Sequence, residues 1–312
     1  MSRFARKLAD SIERYVGLHQ ALGYQFRKQA ASLHVFLRYV RSTHALGPLS
    51  QSLAVDFVMA GDLTPNGRAI RYAMIRRFAA YHAAFDPDTE SLDLRALPRS
   101  RAIPPPRILS DQELCDLVSA SRRISSLNPL RGHTLATIVG LLSSTGLRSG
   151  EALRLDRSDV DLVRGVLQIR KSKFRKDRLV PVHATTLTAL RDYDHDRDLT
   201  LSLLKSPAFF VSTRGNRLSH PGLYYGFTQA CALAGLNTNK ARALRPHDLR
   251  HRFVVTRLAS WQRDQVDAQS LLPLLATYMG HARYSDTAYY VTSTSELLSL
   301  ASANAFGDGG AS

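Results

Sequence analysis

Cysteine is scarce in this chain, which has only Cys115 and Cys231 among its 312 residues. The two lie far apart, and neither belongs to a Cys-x-x-Cys pair. This scarcity excludes a disulfide-stapled fold and a cysteine-ligated zinc site, and it indicates the reduced thiols of a cytosolic protein.

Long apolar runs are also missing. No stretch of 18 or more apolar residues occurs, which argues against a membrane-spanning helix. The N-terminal stretch MSRFARKLADSIERYV carries charge throughout and lacks the apolar core of a signal peptide. We therefore expect a cytoplasmic protein.

Acidic residues are too few to balance the basic ones. Asp and Glu total 26 against 42 Lys and Arg, so the formal net charge is +16 and the pI is about 10.3. Arginine predominates, and its planar donor fork suits phosphate groups. The excess indicates a polyanionic partner, and nucleic acid is favoured over a membrane because no basic amphipathic segment stands alone. A merely solvated charged surface is the alternative.

A proline-rich stretch divides the chain. Residues 95–113 contain four prolines with arginines among them, which prevents a helix and stiffens the backbone. Residues 1–107 hold 16 Lys and Arg against 8 Asp and Glu, and the remainder holds 26 against 18, so both sides are basic. We predict four regions: a helical DNA-binding domain over 1–95, a linker over 96–107, a second domain over 108–306 and a disordered tail over 307–312.

The N-terminal domain is predicted to be a bundle of about four helices. Residues 12–23, 29–42 and 67–85 show apolar side chains at three- and four-residue spacings. Four arginines of the last segment fall off its apolar face, where they could hold phosphates without specifying a sequence: Arg68, Arg71, Arg76 and Arg77.

The second domain is predicted to be mixed. Its first helix is capped by Ser110 or Asp111. Residues 133–155 are predicted to form two helices interrupted near Gly146, and residues 165–183 a strand, a charged turn and a second strand. Helices predominate from there to Phe306.

Two motifs of this domain place charged groups at structural breaks. TGLRSGEALRL puts Arg148 just past a glycine and Glu151 one helical turn later; taken alone, a surface ion pair is the simpler interpretation. KSKFRKDR, residues 171–178, has five basic residues of eight at the predicted turn. A charged turn that protects a sheet edge is the alternative to a lysine held against a phosphate.

A third motif, RPHDLRHRF, begins a helix at Pro246. His247, Arg250 and His251 then share one face, which needs anionic or hydrogen-bonding partners. The two histidines also have the spacing of zinc-protease ligands. However, Asp248 replaces the glutamate expected after the first histidine, and Arg250 would face the dication, so we favour an anion-binding face.

A fourth motif, GHARYSDTAYY, contains His281 and the tyrosines Tyr284, Tyr289 and Tyr290. Together the four motifs supply what metal-free attack on a phosphodiester needs. Two arginines neutralise the non-bridging oxygens, and a lysine protonates the leaving hydroxyl while histidines donate hydrogen bonds or relay protons. A tyrosine forms the covalent link to the strand.

In this order the four motifs resemble those of the tyrosine recombinases, the phage integrase family, over residues 108–303. The resemblance implies a mainly α fold with a small β-sheet, in which a helical core-binding domain precedes a mixed α/β catalytic domain. It implies a site-specific recombinase or integrase of a mobile element or chromosome that cuts and rejoins DNA through a 3′-phosphotyrosine. The implied partners are double-stranded recombination sites and a homotetramer in the synaptic complex, with no membrane, no metal and no other cofactor. The implied location is the cytoplasm, at the nucleoid when DNA is bound.

The resemblance assigns the site residue by residue. The residues matching the family's arginines, supporting acid and histidines are Arg148, Arg250, Glu151, His247, His251 and His281. Aligning DRLVP with the family's ERLVP places the lysine at Lys173. The family's nine-residue step from His281 places the nucleophile at Tyr290. Adjacent residues of a helix point about 100° apart, so Tyr289 is predicted to pack rather than face the phosphate.

Two other classes of protein stay open. A type IB topoisomerase uses similar chemistry but relaxes supercoils as a monomer. A non-catalytic DNA-binding regulator keeps the basic domains without needing this set of residues. The presence of the whole set favours the recombinase.

Overall fold

The computed structural model describes residues 2–97, 106–124, 128–170, 177–201, 206–236 and 243–280. The chain divides into two compact units, Met1–Ile103 (unit 1) and Pro104–Ser312 (unit 2). The division falls inside the predicted linker, residues 96–107.

Unit 1 is helical, as the apolar spacings predict. The side-chain oxygens of Ser2, Ser50 and Thr64 accept backbone N–H groups at three helix N-termini, and Pro65 occupies a first turn. The apolar faces share one core, in which Phe36 and Phe78 are fully buried. Its helices are α1 (Arg3–Ala21), α2 (Arg27–Ser42), α3 (Gln51–Met59) and α4 (Pro65–His82).

The arginines of α4 lie where the sequence predicts. None of the four is buried, and Arg77 is exposed. The Arg71 guanidinium lies over the Phe57 ring, 5.3 Å from its centroid. The α4 surface outside the core is therefore basic.

Unit 2 combines helices with a small sheet. Ser110 caps its first helix through a capping box with Glu113, which resolves the choice between Ser110 and Asp111. The helices are α5 (Asp111–Arg122), α6 (Pro129–Thr145), α7 (Ser149–Arg154), α8 (Ala184–Thr200), α9 (His220–Leu233), α10 (Pro246–Arg263) and α11 (Ala268–Met279).

Helix α6 is the centre of unit 2. It is buried around most of its circumference, including Ile138, Val139 and Leu142. A Cβ atom at Gly132 would collide with the carbonyl oxygen of Arg122, so glycine permits the close packing of α5 on α6. The far end of α6 leads directly into the candidate site.

Among the described residues, the sheet has three antiparallel strands in the order β1 (Val160–Asp161), β2 (Val166–Ile169) and β3 (Arg178–Pro181). Ile169 pairs with Arg178 at the end of β2 nearest the predicted turn. The two predicted strands are confirmed. Residues 171–176 of the predicted turn lie outside the described residues.

The mainly α fold with a small β-sheet is therefore confirmed. None of the helices within the described ranges is both long and apolar enough to cross a membrane.

Candidate active site

Arg148 stands at the junction between α6 and α7. Gly146 ends α6 in the left-handed conformation, at φ 63°, which confirms the predicted break. Glycine adopts this conformation without the strain that a Cβ atom brings. Buried Leu147 follows, and Arg148 then becomes the N-cap residue of α7 with 28% of its side chain exposed.

Glu151 is buried beneath Arg148, so the interpretation as a surface ion pair is wrong. Its side chain is 1% exposed. Oε1 accepts a hydrogen bond from Arg148 Nη1 at 3.0 Å, and Oε2 accepts one from the Arg148 backbone N–H at 3.1 Å. The first turn of α7 directs Glu151 into the interior of unit 2, where an ionised carboxylate needs partners.

A further arginine, Arg178 at the start of β3, completes the partners of Glu151. Its Nη1 donates to Oε1 at 3.2 Å and its Nη2 to Oε2 at 2.8 Å, a two-pronged pairing. Burial alone would raise the pKa of Glu151, but the hydrogen bonds and charges of Arg178 and Arg148 outweigh it and lower that pKa to about 2. The carboxylate is therefore ionised at neutral pH, and the three side chains keep a net positive charge.

Helix α10 begins at Pro246 and presents the predicted face of His247, Arg250 and His251. The two imidazole rings lie edge to face with their centroids 4.7 Å apart. Arg250 is 1% exposed. Its Nη1 donates to the Gly146 carbonyl at 2.7 Å and its Nη2 to the Met279 carbonyl at 2.8 Å.

The His247 side chain is exposed to solvent. Protein atoms around it still desolvate the imidazolium, and Arg250 repels it, so the pKa of His247 lies below its ordinary value of 6.5. Arg148 adds to this repulsion. The neutral ring, which is able to accept a proton, predominates at pH 7.

The C-terminus of α11 is the point where the arginines meet. Three consecutive carbonyl groups accept hydrogen bonds: Tyr278 from Arg178 Nε at 2.8 Å, Met279 from Arg250 Nη2 at 2.8 Å, and Gly280 from Arg148 Nη2 at 3.0 Å. The last carbonyl groups of a helix lack hydrogen-bond partners within the helix, and they bear the partial negative charge of the helix dipole. Three guanidinium groups thus hold the residues directly before His281.

The site therefore unites Arg148, Glu151, His247, Arg250 and His251. Sequence reasoning missed Arg178. Its signal in the sequence was a basic residue at the first position of the second predicted strand. Lys173, His281 and Tyr290 lie outside the described residues, as do Tyr284 and Tyr289.

A metal site was the rival interpretation of the two α10 histidines. Within the part of the chain that the structure describes, no three His, Cys, Asp or Glu side chains are grouped so that they could hold a metal ion. Arg250 lies on the same face as both imidazoles, as the sequence indicates.

Comparison with known proteins identifies the family. Residues 107–296 match the sequence profile of the phage integrase family. A Sinorhizobium fredii protein provisionally named integrase/recombinase y4rE is 56% identical over 311 residues, covering 100% of both chains. The tyrosine recombinase XerC of Herpetosiphon aurantiacus is 30% identical over 231 residues, which cover 71% of this chain and 67% of that protein. This chain belongs to the phage integrase family, the tyrosine-type site-specific DNA recombinases.

Solved structures show the same fold. The XerH recombinase bound to palindromic difH substrate, in a post-cleavage complex, aligns with a TM-score of 0.64 and 21% identity over 89% of this chain and 78% of that one. The Tn1549 transposon integrase in complex with transposon right end DNA aligns with a TM-score of 0.65 and 14% identity over 91% of this chain and 94% of that one. At these identities the alignments establish the architecture.

Proposed function

We propose that this protein cuts and rejoins double-stranded DNA through a covalent 3′-phosphotyrosine intermediate, without a metal ion or ATP. The observation that carries the proposal is the convergence of Arg148 and Arg250 on the consecutive carbonyls of Gly280 and Met279. Two guanidinium groups held by consecutive carbonyl groups suit the two non-bridging oxygens of one phosphodiester.

The proposed reaction exchanges one phosphodiester bond for another. The Tyr290 hydroxyl oxygen attacks the phosphorus, the bond to the 5′ oxygen breaks, and Lys173 protonates that leaving oxygen. His247 takes the tyrosine proton, and its lowered pKa keeps the ring neutral and available for this at pH 7. Attack by a 5′ hydroxyl on the phosphotyrosine reverses these steps. Because each broken P–O bond is replaced by another, the reaction consumes no ATP.

The arginines neutralise the charge of the phosphate in this proposal. Arg148 and Arg250 stabilise the charge that develops on the phosphate, and His281 adds a hydrogen bond. Glu151 and His251 support the first and second arginine. The ionised Glu151 orients Arg148, because it binds both the Nη1 and the backbone N–H of that residue.

The two units receive separate roles in this proposal. Residues 1–95 of unit 1 are the core-binding domain, whose basic α4 surface contacts DNA phosphates, and residues 108–306 of unit 2 are the catalytic domain. Residues 96–107 link them, and residues 307–312 form a tail. The partners are recombination sites in duplex DNA, which four protomers hold in the synaptic complex at the nucleoid.

The test is trapping of the covalent intermediate. Duplexes drawn from the ends of the DNA element that carries the gene, each nicked beside the candidate exchange point, lose a short strand after cleavage and so retain the adduct. We expect the unchanged protein to form a protein–DNA adduct that survives SDS, and to do so in EDTA. Tyr290→Phe should abolish the adduct, because phenylalanine lacks the attacking oxygen.

Tyr289→Phe is the matched control and should leave adduct formation intact. The opposite pattern, an adduct from Tyr290→Phe and none from Tyr289→Phe, would overturn the assignment of the nucleophile. Sensitivity to EDTA, or no adduct on any candidate duplex, contradicts the mechanism. Relaxation of supercoiled plasmids that lack the site would favour a topoisomerase.

A further inference from the structure

Arg178 is a site arginine to which the proposed chemistry gives no task. Its side chain is 12% exposed, less than half the exposure of Arg148. All three of its guanidinium nitrogens donate to protein acceptors, Nη1 and Nη2 to Glu151 and Nε to the Tyr278 carbonyl. Its two Nη groups hold the carboxylate that also binds Arg148, so Arg178 acts on Arg148 through a shared partner.

The space around Arg178 is closely fitted. Gly280, at φ 63°, leaves no room for a side chain, because a Cβ atom there would lie 2.8 Å from Arg178 Nη1. The same Cβ atom would lie 3.5 Å from Arg148 Nη1. The end of α11 and the two guanidinium groups therefore constrain one another.

Arg178 also decides how much charge Arg148 offers to a phosphate. Glu151 is shared, since Oε1 accepts from both Arg148 and Arg178. With Arg178 present, one carboxylate is divided between two cations, and a net positive charge remains. Without it, the same buried carboxylate would neutralise Arg148 alone.

We propose that Arg178 is a positioning residue, which fixes Glu151, Arg148 and the end of α11 so that Arg148 meets the scissile phosphate in the correct direction and with its charge available. This inference rests on the proposed function. It predicts that losing Arg178 slows bond cleavage much more than it weakens DNA binding.

The experiment measures the single-turnover rate of adduct formation on a nicked site at saturating protein, together with the Kd for the same duplex. Arg178→Gln should lower the rate about 10- to 100-fold, as the loss of a supporting hydrogen-bond partner does. The Kd should change by less than about threefold, because a positioning role gives Arg178 no contact with the DNA. Arg178→Lys keeps the positive charge but cannot donate to both carboxylate oxygens of Glu151 in the same geometry, so it should give an intermediate rate.

Arg252→Gln is the matched control for structural damage. Arg252 is similarly buried, with 9% of its side chain exposed. It makes the same kinds of bond, from Nε to the Leu109 carbonyl at 3.0 Å and from Nη2 to Asp111. Its loss should lower the Tm of the protein while the cleavage rate of the folded protein stays within about twofold.

A double variant tests whether Arg178 acts through Glu151. Arg178→Gln combined with Glu151→Gln removes the carboxylate charge that would otherwise neutralise Arg148, while the glutamine amide oxygen can still accept a hydrogen bond from Arg148 and so help to orient it. The double variant should therefore cleave faster than Arg178→Gln alone. If Arg178→Gln does not fold, Arg178→Lys carries the test, and a cleavage rate within about twofold of the unchanged protein would then overturn the positioning role.

The outcomes separate the two proposals. If the unchanged protein forms an adduct and folded Arg178→Gln forms it within about twofold of the same rate, the positioning role is wrong and the proposed function stands. A double variant slower than Arg178→Gln likewise overturns the positioning role. Absence of adduct from the unchanged protein overturns the proposed function, and this inference with it.

Discussion

At the scale of single residues, Glu151 is the side chain whose environment departs furthest from its sequence pattern. An acidic residue three positions after an arginine usually marks a weak, exposed pair. Here the carboxylate is buried, and two guanidinium groups and a backbone N–H satisfy it. Its charge therefore contributes to stability, and the contribution depends on pH.

The first residue-scale prediction concerns acid stability. The Glu151 pKa falls from 4.5 in the unfolded chain to about 2 in the folded protein. A lowered carboxylate pKa stabilises the fold above the unfolded value, and this stabilisation is lost as the pH falls from 4.5 towards 2. We expect the advantage of the unchanged protein over Glu151→Gln in unfolding free energy to shrink by roughly 2 kcal/mol between pH 5 and pH 3.

Denaturant unfolding of both proteins across this pH range measures the difference. The comparison cancels the titration of carboxylates that the two proteins share. A difference that stays constant from pH 5 to pH 3 would show that Glu151 is not held in the ionised form by its arginines.

At the scale of elements, the glycine that ends α6 determines where Arg148 and Arg250 lie. Gly146 has φ 63°, and its carbonyl accepts a hydrogen bond from Arg250 Nη1. A Cβ atom at this position would lie 2.6 Å from Phe253 Cδ1 and 3.0 Å from Met279 Sδ. Both neighbours are buried, so neither has room to move.

Gly146→Ala should therefore destabilise unit 2 by about 3 kcal/mol, from backbone strain and overpacking together. Gly235→Ala is the matched control. Gly235 follows the C-cap of α9 at φ 69°, and a Cβ atom added there would meet nothing within 4 Å. It should cost only the strain, about 1 kcal/mol. Chemical denaturation measures the unfolding free energy of each variant. Equal losses of unfolding free energy in the two variants would mean that the contacts around Gly146 add nothing to the cost of the substitution.

At the scale of the whole molecule, the basic surplus is divided between the two sides of the linker. Residues 1–107 and the remainder each carry eight more basic than acidic residues. Each phosphate that a protein neutralises releases counterions, so the slope of log K against log salt reports the number of phosphate contacts. Both units should therefore contribute to the affinity for duplex DNA.

We expect the affinity of the full chain to fall steeply with salt concentration. A fragment of residues 104–312, one of the two compact units, should show a little over half the slope of log K against log salt, because it keeps nine of the sixteen surplus basic charges. Titration of a fluorescent duplex between low and physiological salt measures both slopes. Equal slopes would show that unit 1 makes no phosphate contacts.

The sequence by itself determined much of the architecture. Apolar spacing, N-cap residues and proline positions predicted the helical unit 1, the start of α5 beside Ser110 and Asp111, and the start of α10 at Pro246, because these signals act within one turn of chain. The glycine break at Gly146 and strands β2 and β3 were predictable for the same reason. Helical spacing also placed His247, Arg250 and His251 on one face, and motif order indicated the family.

Only the tertiary structure decided which charges are buried and what they bind. Glu151 lies beneath Arg148 because α7 packs into unit 2, and Arg178 reaches it from β3, 27 residues away. The hydrogen bonds to the end of α11 come from Arg148, Arg178 and Arg250. They join groups separated by as many as 132 residues along the chain. Residue patterns report local periodicity, whereas the partner of a buried charge is chosen by packing between elements distant along the chain.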